Sequence, residues 1–566
     1  MSKRIIECVP NFSEGRDKTV IRQITAAIEA SGGVKLLDVD PGEATNRTVV
    51  TFVGEPEAVV EAAFAGVKRA AELIDMRRHK GAHPRMGATD VLPLIPIAGI
   101  TLEECADLAR GLARRIADEL RIPTYAYEAA AFRPERKNLA VCRAGEYEAL
   151  PEKLARKESA PDFGARLFDE GIARTGATTV GARDFLIAVN FNLNTTSTRR
   201  ANAIAFDVRE KGRPVREGNP ITGRVVKDAA GNPLMQPGTL PATKAIGWFI
   251  EEYGIAQVSM NITDLAVTPL HVAFDEVCRK ADTRGVRVTG TEIVGLVPKR
   301  ALVEAGKYYL RKQRRSTGIA EEEIVRIAVK SMGLDDLKPF DPAEKVIEYL
   351  LEAEVEQKRL IDMTCKSFAL ETASESPAPG GGSIAAYMGA LGAALGTMVA
   401  NLSSHKAGWD DRWEEFSDWA EKGQAVLAEL LHLVDEDTAA FNRIMAVFAM
   451  PKSTDEEKAA RSAALQQATL YATEVPLRTM KAASRVFEIV RAMASEGNPN
   501  SVSDAGVGAL AARSAVLGAC LNVKINAAGL KDRTKADALV AEADALATEA
   551  RREEAEILKI VEQKIG

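Results

Sequence analysis

The chain has 566 residues, of which 46% are hydrophobic and 27% are charged, as in an ordinary soluble globular protein. Its formal net charge is −6 and the charges are interspersed, which excludes the basic face that general nucleic-acid binding requires. A chain of this length predicts about three to four domain-sized units.

The cysteines and the apolar runs indicate the compartment. Six cysteines without any C-x-x-C spacing are typical of a reduced, cytoplasmic protein. The start MSKRIIECVPNF lacks the apolar core of a signal peptide. Residues 384–402 carry no charge, but they are mostly Ala and Gly with a Tyr, a Thr and an Asn among them. We expect a tightly packed soluble helix there rather than a membrane span.

The first third of the chain alternates strand-like and helix-like segments. Short β-rich or apolar runs predict strands over residues 4–9, 34–39, 47–55 and 90–97. Helical apolar spacing predicts helices over residues 17–30, 56–74 and 101–121. Pro56 suits the first turn of its helix, and Thr101 followed by Glu104 is a helix-capping pattern.

The second third repeats this rhythm. We expect strands at 184–193, twice within 246–262, and at 286–298, with helices at 196–212 and 268–285. Two successive β-α-β-β-α-β patterns predict two ferredoxin-like α/β subdomains side by side. We place them at residues 1–182 and 183–345.

The composition changes near residue 345. Residues 346–357 are predicted to be a linker, and residues 358–566 are Ala-rich amphipathic segments without a convincing strand. The breaks fall at PAPGGGS, AMPKST and EGNPNSVS. This predicts an all-α domain in which five to eight helices pack as a bundle. The predicted fold class is therefore α/β plus all-α.

The segment RRHKGAHPR (77–85) concentrates four cations and two of the five histidines of the chain. Pro84 disfavours helical geometry at His83, and nearby glycines favour a loop, where functional groups are often presented. Three interpretations compete. His79 and His83 have the spacing of metal ligands on a helix, but no Cys or carboxylate completes a set. The others are a solvated loop and a site for a multiply anionic substrate, with one histidine moving a proton.

One acid falls on an apolar stripe of the helix predicted around residues 427–448. Asp437 lies three residues after Val434 and four before Phe441, whereas Asp435 projects elsewhere. The other stripe residues are Leu427, Leu430, Ile444 and Phe448. Burial would raise the pKa of the Asp437 carboxyl towards neutrality, which suits a general acid or base. The alternative is a structural acid bonded to a backbone or Arg group.

Two loops in the predicted helical region carry further candidate binding residues. In SPAPGGGSIAA (376–386), Gly380, Gly381 and Gly382 precede Ser383 and a helix, whose free backbone N–H groups would attract an anion. Further along that helix, Gly389, Gly392 and Gly396 allow close helix packing. In GNPNSVSDAGVGALAA (497–512), Ser501 and Asp504 are spaced as a capping box, and substrate binding by Asp504 is the alternative.

Several long stretches resemble a known family. These are ECVPNFSEG (7–15), LLDVDPG (36–42), TNRTVVTFVG (45–54), LIDMRRHKGAHPRMGATDV (73–91), RAGEYEALP (143–151), APDFG (160–164), GAR (181–183) and GLVPKRAL (295–302). In this order they resemble glutamate formimidoyltransferase over residues 1 to about 340. The resemblance implies transfer of the formimino group of N-formimidoyl-L-glutamate to N5 of tetrahydrofolate.

The resemblance also implies roles for individual residues. His83, in H-P-R-M-G, would take the N5 proton, and Arg85 with its neighbouring cations would hold substrate carboxylates. We interpret His79 as loop structure or a secondary contact. Asp40 is expected to end a strand before a Pro-Gly turn, and it could orient the histidine or simply form that turn. Folate would contact the loop between Gly164 and Gly176, a stretch that departs from the family pattern.

The motifs PAPGGGSIAA, LVDEDTAAFNRIM and NPNSVSDAGVGALAA resemble formimidoyltetrahydrofolate cyclodeaminase over about 358–566. In that family the active-site aspartate falls on Asp437. The resemblance implies closure of N10 onto the formimino carbon, expulsion of ammonia and formation of 5,10-methenyltetrahydrofolate. Asp437 would move a proton between N10 and the leaving amine.

Together the two resemblances imply a bifunctional cytoplasmic enzyme of histidine degradation and one-carbon metabolism. They imply tetrahydrofolate, polyglutamylated, as co-substrate, no metal, and a homo-oligomer that is a ring of dimers. A tail held at one site would raise the folate concentration at the other. The rival hypothesis is a folate-binding scaffold with only one catalytic half, because the 164–176 loop is altered.

Overall fold

A computed structural model describes residues 4–43, 45–81, 84–218, 223–352 and 359–566 of the chain. These residues form two compact units. The first unit takes its residues from Met1–Ala301 and Met332–Glu352, and the second from Leu302–Ser331 and Ala353–Gly566. All the strands belong to the first unit, whereas the second is helical.

The first unit begins with a sheet that carries helices. Its strands are β1 (Ile5–Cys8), β2 (Asn11–Phe12), β3 (Val34–Gly42), β4 (Arg47–Gly54), β5 (Thr89–Ala98), β6 (Thr124–Glu128) and β7 (Thr178–Ala182). Its helices are α1 (Lys18–Ala30), α2 (Pro56–Leu73), α3 (Leu102–Leu120), α4 (Leu139–Cys142), α5 (Leu150–Ala155) and α6 (Glu170–Thr175).

The predicted ferredoxin-like arrangement is confirmed in this sheet and extended. β1 and β2 lie between β4 and β5, and β3 forms an edge by pairing with β4. These pairs are antiparallel, whereas β7 pairs in parallel with both β5 and β6. β6 and β7 were not predicted. Both are five residues long, too short to give a clear periodicity signal.

A second sheet follows in the same unit. Its strands are β8 (Ile187–Leu193), β11 (Thr243–Ile250), β12 (Ile255–Ile262) and β13 (Val288–Val294), with a separate ribbon of β9 (Arg213–Pro214) and β10 (Met235–Gln236). Its helices are α7 (Thr198–Val208) and α8 (Leu270–Asp282). The order β11-β12-β8-β13 is antiparallel throughout, which is the second predicted ferredoxin-like pattern. The helix predicted to reach residue 212 ends at Val208.

The helices that accompany the first sheet begin at residues that suit a helix N-terminus. Thr101 and Glu104 form the predicted capping box at the start of α3, in which each side chain accepts a hydrogen bond from the other's backbone N–H. Pro56 is the first residue of α2, where its missing N–H costs nothing. The helices α1, α2 and α3 pack apolar side chains against the sheet, which include Ile24, Val67 and Ile116 respectively.

The remaining helices are α9 (Lys299–Lys312), α10 (Glu321–Met332), α11 (Pro342–Lys345), α12 (Ile347–Glu352), α13 (Cys365–Thr372), α14 (Gly381–Ser404), α15 (Trp413–Phe448), α16 (Asp455–Ser484), α17 (Val486–Glu496), α18 (Val502–Ala527) and α19 (Arg533–Ile565). Within residues 359–566 the structure has seven α-helices and no strand. The predicted all-helical region is therefore confirmed, and all three predicted breaks separate helices.

Residues Leu302–Ser331 group with the helical unit, although the sequence pattern placed them in the second α/β subdomain. Inside that unit, the backbone N–H of Thr317 donates to Ser417 Oγ at 3.0 Å. Lys307 Nζ lies 3.2 Å from the Glu421 carboxylate. The predicted domain boundaries stay predictions, because compactness in the native state and independent folding are different properties.

Two helices in the described ranges are long and apolar enough to cross a membrane by length and composition, Gly381–Ser404 and Pro499–Ala527. Other residues bury 61% of the most apolar 18-residue stretch of the first helix and 50% of that of the second. Their glycines permit a close approach, because a Cβ on Gly392 would lie 2.9 Å from the Gly508 carbonyl oxygen. Burial of this kind is typical of core helices in a bundle.

Candidate functional site

The basic loop lies between α2 and β5, but His83, its predicted catalytic residue, lies outside the described residues. Arg77 is one of the cations assigned to substrate carboxylates. Its guanidinium lies 2.7 Å from Asp75 and 2.8 Å from Glu170. The second partner comes from α6, 93 positions along the chain, so the sequence pattern alone did not reveal this pairing.

Arg85 is also neutralised by acids from another segment. Its Nη1 and Nη2 donate to the two carboxylate oxygens of Glu148 at 2.8 and 2.7 Å, and Nη1 donates to Glu146 at 3.2 Å. The Arg85 side chain is only 11% exposed. This fork-to-fork geometry fixes the loop against the segment before α5. Direct binding of substrate by Arg85 stays a prediction.

His79 ties the loop to the β3–β4 turn. Its ring is buried, Nε2 lies 2.8 Å from the Asn46 carbonyl oxygen, and Nδ1 accepts a hydrogen bond from Arg85 Nε at 3.3 Å. Burial lowers the pKa of His79, and the nearby Arg85 charge adds to this effect. Gly81 lies against the same turn, since a Cβ on it would lie 2.1 Å from the Thr45 carbonyl oxygen. The contacts fit the interpretation of His79 as loop structure.

Asp40 does not end its strand, so the expected Pro-Gly turn after it is wrong. β3 continues to Gly42, where it pairs with Arg47, because an edge strand tolerates a proline without a backbone donor. Asp40 is exposed and lines a cavity of about 320 Å³ in the first unit. Asp38 lines the same cavity, and the sequence analysis missed it, although two aspartates separated by one residue share a strand face.

The two predicted folate-loop glycines have specific backbone roles. Gly164 and Gly176 have φ values of +97° and +69°, which favour glycine. A Cβ on Gly176 would lie 2.3 Å from the Met86 carbonyl oxygen, so the end of this loop lies directly against the segment that follows the basic loop. Leu167, between them, is 78% exposed. The loop is thus anchored at its end and presents an apolar side chain outward.

In the helical unit the structure brings two predicted motifs together. Asp437, on α15, accepts a hydrogen bond at Oδ2 from the Ser383 backbone N–H at 2.9 Å. Ser383 Oγ lies 3.1 Å from the same oxygen and 2.8 Å from the Val434 carbonyl oxygen, so its single proton is shared between two acceptors. A Cβ on Gly382 would lie 2.1 Å from Asp437 Oδ1. Burial raises the pKa of Asp437, and the Ser383 hydrogen bonds partly oppose that rise. The carboxyl therefore lies at the first turn of α14, next to the Gly-rich loop.

The apolar stripe around Asp437 is buried only on one side. Leu430 and Val434 are fully buried, but Phe441 and Phe448 are 39% and 54% exposed. Asp437 itself is half-buried, so it lies where the buried stripe meets solvent. This position suits a proton-transfer group better than full burial, because a substrate can reach it.

The prediction of a capping box between Ser501 and Asp504 is wrong. Ser501 precedes α18 with φ −116° and ψ 16°, and its side chain makes no capping hydrogen bond. Asn498 instead accepts from the Asn500 backbone N–H in the turn before it. The extended backbone that a capping serine needs is absent there. Asp504 lies half-buried in the first turn of α18, and its substrate-binding role stays a prediction.

Two further polar residues were missed. Asn522, on α18, lies near the Gly-rich loop, since a Cβ on Gly381 would lie 3.6 Å from its Nδ2. Glu7 is 2% exposed on β1, and burial raises its pKa to about 7 against the opposing charge of Arg183. The only sequence signal for Glu7 was a carboxylate inside the apolar strand IIEC. Among the described residues, no three His, Cys, Asp or Glu side chains cluster as metal ligands.

Sequence models of three domain families match the chain. The "Formiminotransferase domain, N-terminal subdomain" matches residues 5–183, and the "Formiminotransferase domain" matches residues 188–352. The "Formiminotransferase-cyclodeaminase" family matches residues 364–545. The three matches lie in the same order as the two sheets and the helical bundle.

Relatives cover the whole chain or one part of it. Formimidoyltransferase-cyclodeaminase of Rattus norvegicus is 43% identical over 531 residues, covering 94% of this chain and 93% of the relative. Glutamate formimidoyltransferase of Thermoplasma acidophilum is 41% identical over 54% of this chain and 92% of its own length. Methenyltetrahydrofolate cyclohydrolase of Methylorubrum extorquens is 38% identical over 36% of this chain and 98% of its own length.

Proposed function

The chain belongs to the formimidoyltransferase-cyclodeaminase family, and from this premise we propose which of its residues perform the two reactions of a bifunctional enzyme. The enzyme transfers the formimino group from N-formimidoyl-L-glutamate to N5 of tetrahydrofolate. It then cyclises 5-formimidoyltetrahydrofolate to 5,10-methenyltetrahydrofolate and releases ammonia. Both steps move protons at nitrogen atoms, so each needs a group that titrates near neutral pH.

For the transfer step we assign proton removal from N5 to His83. The support comes from the described ends of its loop, which are held by His79 and Arg85. A general base needs a fixed position, and these contacts fix the described residues on either side of His83. Folate would lie along the Gly164–Gly176 loop, whose end lies against Met86. Asp40 would face the reacting groups from the cavity wall.

For the cyclisation step we assign the proton transfers to Asp437, and its contact with Ser383 is the observation that supports this most directly. The raised pKa lets the carboxyl accept the N10 proton as N10 attacks the formimino carbon. The same proton then passes to the leaving nitrogen, which departs as ammonia. Asp437 ends the cycle ionised, with its hydrogen bonds to Ser383 restored.

One experiment tests both assignments. The purified chain, given formimidoylglutamate and tetrahydrofolate, should release ammonia and build methenyl-folate absorbance. His83→Ala should stop the transfer but leave cyclisation of added 5-formimidoyltetrahydrofolate intact, and Asp437→Asn should do the reverse. Asp418→Asn, an exposed acid on the same helix, is the matched control and should leave both rates unchanged. A variant of His83 or Asp437 that kept both activities would show its assignment to be wrong.

We also propose a homo-oligomer that is a ring of dimers. Exposed apolar side chains on α14 and α18 support this assignment, at 39–72% exposure: Leu391, Met398, Leu402, Val507, Leu510, Leu521 and Ile525. A second copy would cover them more favourably than water does. Sedimentation of Leu521→Lys/Ile525→Lys should then give a smaller species. An unchanged mass would argue against this surface.

We also propose the form of the folate and the compartment in which the protein acts. The folate is polyglutamylated, and the exposed cations Arg78 and Lys80 offer charge for its tail. The protein acts in the cytoplasm, which the six free thiols support. It needs no metal, because every assigned proton transfer uses a side chain. Its place is in histidine degradation and one-carbon metabolism.

A second candidate activity for the helical unit is hydrolysis of methenyltetrahydrofolate. The 38% identity with the cyclohydrolase relative favours it. The same carboxylate could take a proton from water attacking the methenyl carbon. Loss of methenyl-folate absorbance without ammonia, abolished by Asp437→Asn, would identify this activity. It would add to cyclodeamination rather than replace it.

A further inference from the structure

The cavity that Asp40 lines has walls of opposite charge. It lies in the first unit between β3 and β13, each the edge strand of its sheet. Asp38 and Asp40 line one wall. Lys338 and Lys345, from the segment after α10, line another. Glu292 also lines it, but its carboxylate already accepts hydrogen bonds from Asn190, Tyr253 and Gln257.

A β-bulge places the two aspartates on this wall. Leu36 pairs with Phe52 and Asp38 with Thr51, so Leu37 is an extra residue in β3. The bulge reverses the facing of the strand after Leu36, which lets Leu36 and Val39 both pack on the core. Asp38 and Asp40 consequently face the opposite side. A regular strand would have directed Asp38 to the same face as Leu36.

The charges of the cavity match those of one substrate. N-formimidoylglutamate carries a formamidine group, a strong base that is positively charged at neutral pH, and two carboxylates. Arg77 and Arg85 of the basic loop already pair with acidic side chains of the protein. Lys338 lies 3.3 Å from Glu252. Lys345 instead faces Asp38: burial raises the pKa of the Asp38 carboxyl, and the charge of Lys345 opposes that rise. Asp38 and Lys345 are therefore close enough to contact neighbouring groups of one ligand.

The cavity is also linked to the predicted transferase loop. β3 ends at Gly42, and the turn that follows contacts the basic loop through two hydrogen bonds of Asn46. Its carbonyl oxygen lies 2.8 Å from His79 Nε2, and its Nδ2 donates to the Lys80 carbonyl oxygen at 3.0 Å. The strand that carries both aspartates is therefore connected to the basic loop through the contacts of Asn46.

We propose that this cavity is the binding site for formimidoylglutamate, in which Asp38 holds the charged formamidine group and Lys345 holds a glutamate carboxylate. The inference depends on the proposed transferase function and assigns the donor to a definite wall of the molecule. Because Asp38 binds the positive charge, it selects a formimidoyl donor over a neutral formyl analogue. Lys345 contacts a part that both molecules share.

Steady-state kinetics with a neutral competitor tests this division of roles. N-Formylglutamate keeps both carboxylates but lacks the positive charge, so it serves as an inhibitor of the transfer. Asp38→Asn should raise the KM for formimidoylglutamate by about tenfold to a hundredfold and leave the Ki of N-formylglutamate unchanged. Lys345→Gln should raise both constants. The KM for tetrahydrofolate should stay within about twofold in each variant, since the expected loss concerns the donor alone.

Glu43→Gln is the matched control, because it removes one negative charge just beyond the end of β3 and outside the cavity. Circular dichroism spectra and thermal unfolding curves that match those of the wild type report that the first unit of each variant is folded. If Asp38→Asn does not fold, the Lys345→Gln result still decides the matter. Variants that raise the KM for tetrahydrofolate, or change neither donor constant, would overturn the inference. A wild-type chain without transferase activity would instead refute the proposed function.

Discussion

The backbone N–H of Ser383 donates to one carboxylate oxygen of Asp437 at 2.9 Å, and the Ser383 hydroxyl lies 3.1 Å from the same oxygen and 2.8 Å from the Val434 carbonyl oxygen. The two residues are 54 positions apart and belong to different helices of the bundle. The contact places a half-buried carboxyl at the positive end of α14. It also fixes one oxygen and leaves the other next to Gly382.

The Gly-rich loop should tolerate substitution unequally. A Cβ on Gly382 would lie 2.1 Å from Asp437 Oδ1, so Gly382→Ala should displace the carboxyl and lower cyclodeamination about a hundredfold. A Cβ on Gly380 would come no closer than 3.7 Å to its nearest neighbour, so Gly380→Ala should retain most of the activity. Ammonia release from 5-formimidoyltetrahydrofolate measures both. Equal losses in the two variants would contradict the proposed geometry.

Loss of the Ser383 hydroxyl should change the pH dependence of the second step. Its hydrogen bond favours the ionised form of Asp437 and so lowers a pKa that burial has raised. Ser383→Ala should therefore raise the pKa of Asp437 and move the ascending limb of kcat/KM to higher pH. Ser404→Ala, a buried serine whose hydroxyl bonds within the same helix, should leave the profile in place. A limb that moved to lower pH would contradict Asp437 as the base.

Arg85 should matter through its geometry as well as its charge. Lysine cannot reproduce the paired hydrogen bonds to Glu148. Arg85→Lys should therefore loosen the basic loop and lower the kcat/KM of the transferase about tenfold. Cyclodeamination by the same sample should be unchanged. Arg115→Lys breaks a similar pair of contacts, to Glu61 and Glu119, away from the loop and serves as the control. Equal effects of the two variants would argue against a special role for Arg85.

Glu7 should make the first unit less stable at alkaline pH. Its pKa is about 7 in the folded chain and near 4.5 when unfolded, so the native state binds the extra proton between these values. The free energy of unfolding should fall as pH rises from about 4.5 to 7, by on the order of 3 kcal/mol. Glu7→Gln should remove that fall, whereas Glu29→Gln, an exposed acid on α1, should not. Denaturant unfolding at pH 5 and pH 8 measures the difference.

If Glu7→Gln proved no more stable than the wild type at pH 8, the carboxyl would be ionised at no cost. The charge of half-buried Arg183 would then compensate it fully. Loss of transferase activity in the same variant would instead indicate that the carboxyl takes part in the reaction. The stability measurement and the activity measurement therefore answer separate questions.

The sequence by itself determined the order of the two α/β patterns and the helical region, and its motifs indicated the two chemistries. Periodic apolar residues indicated two β-α-β-β-α-β patterns and then a helical bundle, because burial imposes a period of two on strands and 3.6 on helices. The same logic singled out Asp437, since a carboxylate on a buried stripe is costly without a function. The capping residue of α3 and the break before α14 were also predictable from the sequence, because a few adjacent residues determine each of them.

Only the tertiary structure decided which charges remain for a substrate. The segment RRHKGAHPR predicted that Arg85 is a cation available to a substrate. In the structure, however, Glu148, 63 positions away, pairs with it. In a regular strand Asp38 would share a face with Leu36. The β-bulge at Leu37 instead turns Asp38 to the opposite face, where it lines the cavity. Ser383 and Asp437 are likewise joined only by helix packing. Local sequence sets the periodicity of the elements and the cap of α3, whereas ion pairs, bulges and helix contacts join residues far apart in the chain. No local pattern encodes those partners.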